Sequence, residues 1–347
     1  MNILKKILSL TIISILLFNN TQSTAALLAV NPETPVKIAV FLNDFNDQFI
    51  STVKKNLETI QSNNENKVQF TFFDGKGNQV IQNELINRAL NNDFNLVVLN
   101  PVTTDIDKIQ SALNEIVGKD IPLILYYAQT PQIVNFLKPY RNAVIIDTDI
   151  DQSGILQGEI LADTWNASKE TLDKNKDDIM QYIMLKGPAN NAETIARTKY
   201  SVQALNEAGV KTQELSSIVC NWDEECAKSA IRSNLLTLDG RIEAIISNND
   251  AMAIGAIKAL QEYGYNKGDN SKKYIPVVGV DALPEAKELI NQGIMTGTVV
   301  QDPSVHADAI YTIGMNLASG NYPLNGTNYK FDQTGNTVKL PYSKYVK

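Results

Sequence analysis

The chain has 347 residues, 31 of them basic and 38 acidic, for a net charge of −7, and its 44% hydrophobic and 20% charged content excludes a disordered or collagen-like chain. An acidic surface without a long basic run argues against a nucleic-acid partner, because phosphate binding needs a dense Lys/Arg face. The single histidine, His306, leaves little material for a Ser-His-Asp triad, a Cys-His pair or a His-rich zinc site; set in a helix after Pro303, it reads as an ordinary helix-face residue.

In chain order, residues 1–25 carry Lys5 and Lys6, an apolar run from Ile7 to Phe18, and the small residues Ser23, Thr24 and Ala25. This is the layout of a secretory signal peptide. The run falls short of the roughly 20 residues needed to span a bilayer, and no cysteine near the cleavage point offers a lipid anchor. No later segment is long and apolar enough to span. The mature protein is expected outside the cytoplasm, in the periplasm or on the extracellular face of the envelope.

Short apolar runs then recur at 36–42, 68–73, 96–99, 121–127, 143–146, 182–185, 242–246 and 275–280. Amphipathic stretches of helical length lie between most of them, at 49–60, 79–91, 106–117, 153–165, 192–208 and 250–263. Strand-helix alternation predicts parallel sheets with helices on both faces. There are too many units for one sheet of ordinary size, so two α/β lobes are expected. Residues 169–178 and 267–273 read as polar loops. Neither GxGxxG nor GxxxxGK[ST] occurs, which leaves a nucleotide site unsupported.

Cys220 and Cys226 are the only cysteines. In an oxidising compartment they could form a small-loop disulfide contributing about 2 kcal/mol. The alternative is two free thiols, one of them on the following helix.

Residues 173–181 place oxygen-bearing side chains at loop positions 1, 3, 5 and 9: Asp173, Asn175, Asp177 and Gln181. Ile179 at position 7 can offer its carbonyl. This is the spacing of an EF-hand loop, in which alternate residues turn oxygens onto a hard cation such as calcium. Position 6 is Asp178 rather than Gly, and position 12 is Met184 rather than the bidentate Glu. A cation here would need a carboxylate from elsewhere in the chain; the alternative is a solvated acidic turn.

Several further segments resemble one family, the periplasmic galactose/glucose-binding proteins of sugar ABC transporters, within the wider ribose-binding-like group. They are Asn46-Asp47-Gln48-Phe49, Ser153-Gly154-Ile155-Leu156-Gln157-Gly158, Leu185-Lys186-Gly187, Ala196-Arg197-Thr198, Ser247-Asn248-Asn249-Asp250-Ala251-Met252-Ala253 and Gly279-Val280-Asp281-Ala282-Leu283-Pro284-Glu285-Ala286. The resemblance runs from about Val36 to Tyr342. It implies two doubly wound, Rossmann-like lobes joined by a three-strand hinge, the type I periplasmic binding protein fold. The N-terminal lobe is expected from 36–147 plus 302–338 and the C-terminal lobe from 149–298 plus 340–347. The crossings fall near 147–149, 298–302 and 338–341. The resemblance also implies that a distant Glu completes the calcium loop, and Glu243 falls at that position.

A pyranose offers hydroxyls around its rim, which suit Asp, Asn and Arg, and C–H faces, which suit aromatic rings. The resemblance assigns Asp47, Phe49, Arg197, Trp222, Asn249 and Asp281 to such a site unchanged, with Phe49 and Trp222 sandwiching the ring. The Asp47 position is the one that accommodates both galactose and glucose. Taken singly these residues have plainer readings: Phe49 as core, Asp47 and Asn249 as helix caps, Arg197 as a solvated helix face. Four positions depart from the family pattern: Tyr127 replaces Asn, Asn191 replaces His, Glu193 replaces Asp, and Gln301 replaces Asn.

The expected function is non-enzymatic. A monomeric receptor would close on a monosaccharide, galactose or glucose first, and deliver it to a membrane ABC permease. A sugar-sensing role toward a chemoreceptor or sensor kinase is the alternative, as is a different sugar. A glycosidase would need a carboxylate pair set for acid/base work, and nothing marks one. A repressor of this fold would need an N-terminal helix-turn-helix where the signal-like segment stands.

Overall fold

The computed structural model describes residues 34–238, 240–268 and 273–347; the export segment inferred at residues 1–25 lies outside the described residues. The apolar runs become strands. β1 (Val36–Leu42), β2 (Val68–Asp74), β3 (Leu96–Leu99), β4 (Leu123–Tyr126), β5 (Ala143–Thr148) and β11 (Thr337–Leu340) form one parallel sheet, in the order β11-β5-β4-β3-β1-β2. β6 (Ile179–Lys186), β7 (Lys211–Val219), β8 (Ala244–Ser247), β9 (Val277–Asp281), β10 (Gly297–Val300) and β12 (Ser343–Val346) form the second, ordered β12-β10-β9-β8-β6-β7. Only β12 runs antiparallel there, against β10.

Both faces of each sheet are buried, as parallel sheets require. In β1, Ile38, Val40 and Leu42 face α1 (Gln48–Asn63) and α10 (Pro303–Ala318). Ala39 and Phe41 face the opposite way, toward α2 (Gln79–Ala89), α3 (Ile106–Gly118) and α4 (Pro131–Leu137). In the second sheet, Ile183 and Leu185 of β6 pack with α7 (Glu224–Thr237), α8 (Asp250–Glu262) and α9 (Pro284–Asn291). Met180, Tyr182 and Met184 pack with α5 (Ile150–Leu172) and α6 (Ala192–Glu207).

The chain passes between the sheets three times: after β5, between β10 and α10, and between β11 and β12. Tyr342, in the last crossing, is buried and its hydroxyl lies 2.8 Å from Thr148 Oγ1 at the end of β5, which ties two of the crossings together.

Three expectations are corrected. The run at 121–127 is a shorter strand, because Tyr127 adopts φ 54° and leaves the sheet. The helix expected at 153–165 runs 150–172, with non-helical geometry at Ser168, and so takes in the start of the polar stretch 169–178. His306, read as an ordinary helix-face residue, is on a helix and faces inward, at 1% exposure. Among the described residues no helix is long and apolar enough to cross a membrane.

Candidate functional site

In both sheets the parallel strands deliver their C-terminal ends, and the helices that follow them their N-termini, to the same edge. Ligands bind open α/β sheets at that edge. Between the two lobes lies a cavity of about 890 Å³. It is lined by all ten of the side chains singled out for a sugar: Asp47, Phe49 and Tyr127 from the first lobe, and Asn191, Glu193, Arg197, Trp222, Asn249, Asp281 and Gln301 from the second.

The plain structural roles and the cavity placement coexist. Asp47 caps α1, its Oδ1 accepting from Ile50 N–H at 2.9 Å, and Asn191 and Asn249 cap α6 and α8 in the same way. A cap residue stands just ahead of a helix that starts at the cleft, and all three caps line the cavity. Phe49 belongs to the first lobe's core yet lines the cavity. Its ring meets His306 edge-on at 5.3 Å and Tyr127 at 6.2 Å. His306 therefore supports the aromatic wall from behind, with Tyr126 Oη 2.9 Å from its Nδ1 and the Tyr127 ring stacked on it.

Arg197 is the buried hub. Its Nη1 donates to Asn248 O at 2.7 Å and lies 3.8 Å from Asp281 Oδ1, and its Nη2 donates to Gln301 Oε1 at 3.2 Å. The guanidinium carbon sits 5.8 Å from the centre of the Trp222 ring. Burial opposes its charge, but the Tyr342 hydroxyl, Asp281 and Glu193 outweigh burial and hold it cationic. Nε is buried with no hydrogen-bond partner in the protein, which leaves a donor for a ligand oxygen. Burial pushes the Asp281 and Asp47 carboxyls above the usual range, against the pull of Arg197.

A buried site residue escaped the sequence reading. Asn100 is buried at the end of β3 and lines the cavity; its Oδ1 accepts from Asn43 N–H and its Nδ2 donates to Tyr126 O. Its position directly after a buried strand was an available signal. Asp147, at the first crossing, does not line this cavity but an adjoining pocket, together with Glu193 of the other lobe and Lys339 of β11; it accepts from the N–H groups of Gln129 and Thr148.

Asp147 and Asp250 are each pushed up to about 7, first by burial. A carboxyl raised in the fold stabilises fully below its unfolded value near 3.8, and that contribution is lost as pH rises through about 7. His306 runs the other way. Burial pushes it down to about 3, so its contribution is complete above 6.5 and lost as pH falls. The melting temperature without ligand should therefore fall between pH 6.5 and pH 8.5. A scanning-calorimetry midpoint that rises across that window contradicts this.

The acidic loop between α5 and β6 folds on itself. Asp173 accepts from the N–H groups of Asp177 (3.2 Å) and Asp178 (3.0 Å), Asn175 Oδ1 from Asp177 N–H (3.1 Å), and Asp177 Oδ1 from Ile179 N–H (2.9 Å). Asp178 takes the position-6 turn at φ 67° without glycine. Glu243, just before β8, reaches across to accept from Lys174 N–H (2.6 Å) and Gln181 N–H (3.1 Å). The side chains of Asn175 and Gln181 both donate to Asp177 Oδ2 at 2.8 Å. Among the described residues no three His, Cys, Asp or Glu side chains are arranged to hold a metal by themselves. A cation here would therefore draw on amide and carbonyl oxygens too.

Two α/β lobes around a polar, aromatic-walled cleft define a solute-binding protein. The Periplasmic binding protein domain family matches residues 38–321. The D-galactose/methyl-galactoside binding periplasmic protein of Haemophilus influenzae is 31% identical over 311 residues, covering 88% of each chain. The D-allose-binding periplasmic protein of Escherichia coli is 32% identical over 124 residues, 36% of this chain and 37% of its own. Among solved structures, an ABC transporter solute-binding protein from Bacillus halodurans with bound myo-inositol superposes with a TM-score of 0.71 at 21% identity, covering 90% of this chain and 95% of its own. One from Actinobacillus succinogenes with bound D-allose gives 0.72 at 18%, covering 90% and 98%. The chain belongs to the periplasmic binding protein family, with the type I two-lobed fold. That family is one of solute-binding proteins rather than enzymes.

Proposed function

We propose that this protein captures a hexose, D-galactose or D-glucose first, between its lobes and delivers it to a membrane ABC permease. The observation that carries this is the meeting of ten side chains from both lobes in one cavity, with rings from opposite lobes and a buried guanidinium among carboxylates. Phe49 and Trp222 offer faces for the C–H surfaces of a pyranose, and Asp47, Asn249, Asp281 and Arg197 offer partners for its hydroxyls. Only the closed form completes both halves, so sugar shifts the hinge equilibrium toward closure. The closed shape is then what the permease reads.

Two of the four departures bear directly on the choice among hexoses. Asn191 spends its oxygen on capping α6 and Gln301 spends its oxygen on Arg197, so each offers its NH₂. A site that pairs every hydroxyl rejects analogues lacking one. Relatives carry names for galactose, allose and ribose, which keeps the wider set open to test. Titration calorimetry against galactose, glucose, allose, ribose and myo-inositol tests the assignment. Tightest binding of a hexose supports it; a folded protein that binds none of them refutes it.

We further propose that Asp173, Asn175, Asp177, Gln181, the Ile179 carbonyl and Glu243 bind a structural calcium ion. In support, the loop already makes the N–H bonds that hold ligand side chains in place. Burial, together with Asp173 and Asp177, also raises the Glu243 carboxyl, an unfavourable crowding that a cation relieves. Calcium at about 100 times its Kd adds about 2.7 kcal/mol. Chelation should therefore lower the melting temperature by roughly 5 °C or more. Glu243→Gln should abolish the response to calcium; an unchanged response contradicts the ligand set.

A further inference from the structure

Trp222 is presented to the cleft by an unusual loop. Asn221 and Trp222 follow β7 and precede α7, and both lie in the left-handed region, at φ 52° and 69°. Neither is glycine, and two consecutive non-glycine residues there resist folding into this shape. The loop is bounded by Cys220 and Cys226, which are joined by a disulfide with Cα atoms 5.4 Å apart. Cys220 is buried beside β6, its N–H donating to Lys186 O at 2.8 Å; Cys226 is in the first turn of α7, its N–H donating to Asp223 Oδ1 at 2.6 Å. The indole lies so close over Gly187 that a Cβ there would collide with it. Asn249 Nδ2 donates to Trp222 O at 3.4 Å.

We propose that the Cys220–Cys226 bond is a positioning device for the sugar platform: it holds the 220–226 loop in the strained form that lays Trp222 over Gly187 and into the cleft, so the oxidation state of this pair sets sugar affinity. The inference rests on the sugar-binding reading for its effect on affinity, but the placement of Trp222 can be tested without sugar. An exported protein meets an oxidising compartment, where such a bond persists.

The test compares oxidised protein, protein reduced with dithiothreitol, and Cys226→Ser. Dithiothreitol supplies two electrons and two protons; the Sγ–Sγ bond breaks to two thiols, and dithiothreitol closes to its cyclic disulfide. Trp165, the other tryptophan, is 2% exposed, so acrylamide quenching reports on Trp222. Reduction and Cys226→Ser should each make Trp222 more quenchable and weaken galactose binding by about tenfold, the equivalent of about 1.4 kcal/mol. Reoxidation should restore both in the wild-type chain. Equal quenching in oxidised and reduced protein overturns the proposal, as does equal sugar affinity. If no form binds any sugar, the sugar reading fails on its own, and the quenching comparison still decides whether the bond holds the platform.

Discussion

Arg197→Met is expected to weaken sugar binding by at least about 100-fold while leaving a folded protein. Truncating one partner of a buried, hydrogen-bonded charge pair costs roughly 2–5 kcal/mol, much of it from the partner left behind. Here the partners are Asp281, at 3.8 Å, and Gln301, whose Oε1 loses its donor. Asn248 O loses its donor as well. Without the guanidinium, Asp281 keeps the burial and the fields of Asp250 and Asp47 that push its carboxyl up, and loses the cation that opposes them. Calorimetry would then show weakened galactose binding. A variant that binds sugar within threefold of wild type would remove Arg197 from the site.

Gly158→Val is expected to act on the fold rather than on ligand chemistry. Gly158 of α5 faces α6 closely, and a Cβ there would collide with Ser201 O and Ala204 Cβ. Those contacts are backbone and a short side chain, so the helices must separate. Overpacking of this kind costs about 3 kcal/mol, or roughly 10 °C in melting temperature. Because α6 carries Asn191, Glu193 and Arg197, sugar affinity should fall as well. Gly118→Ala is the control, since a Cβ there meets nothing within 4 Å; it should be neutral or slightly stabilising. Equal melting temperatures for wild type and Gly158→Val would show that the two helices can move apart freely.

The buried strands of both sheets were legible because both faces are covered, which leaves unbroken apolar runs such as those of β1 and β3. β7 was not legible. It is an edge strand, its segment KTQELSSIV is mostly polar, and most of its residues are exposed or half-buried, so the apolar signal is absent. The short strands β10, β11 and β12 gave too little pattern to read alone. At the site, Asp47, Asn249 and Asp281 are placed by the family resemblance of the segments that carry them; read singly, Asp47 and Asn249 are only helix caps. The hold on Arg197 could not be read from its helix, because Gln301 and Asp281 come from strands far along the chain. His306 shows the same limit: its burial depends on Phe49, Tyr126 and Tyr127, which reach it from two other elements.

The measurement closest to the central claim is a crystal structure of the protein grown with its tightest-binding hexose. The account predicts closed lobes with one sugar ring between Phe49 and Trp222, and hydroxyls within hydrogen-bond distance of Asp47, Arg197 and Asp281. A hexose seated elsewhere, with that chamber holding only solvent, would contradict it.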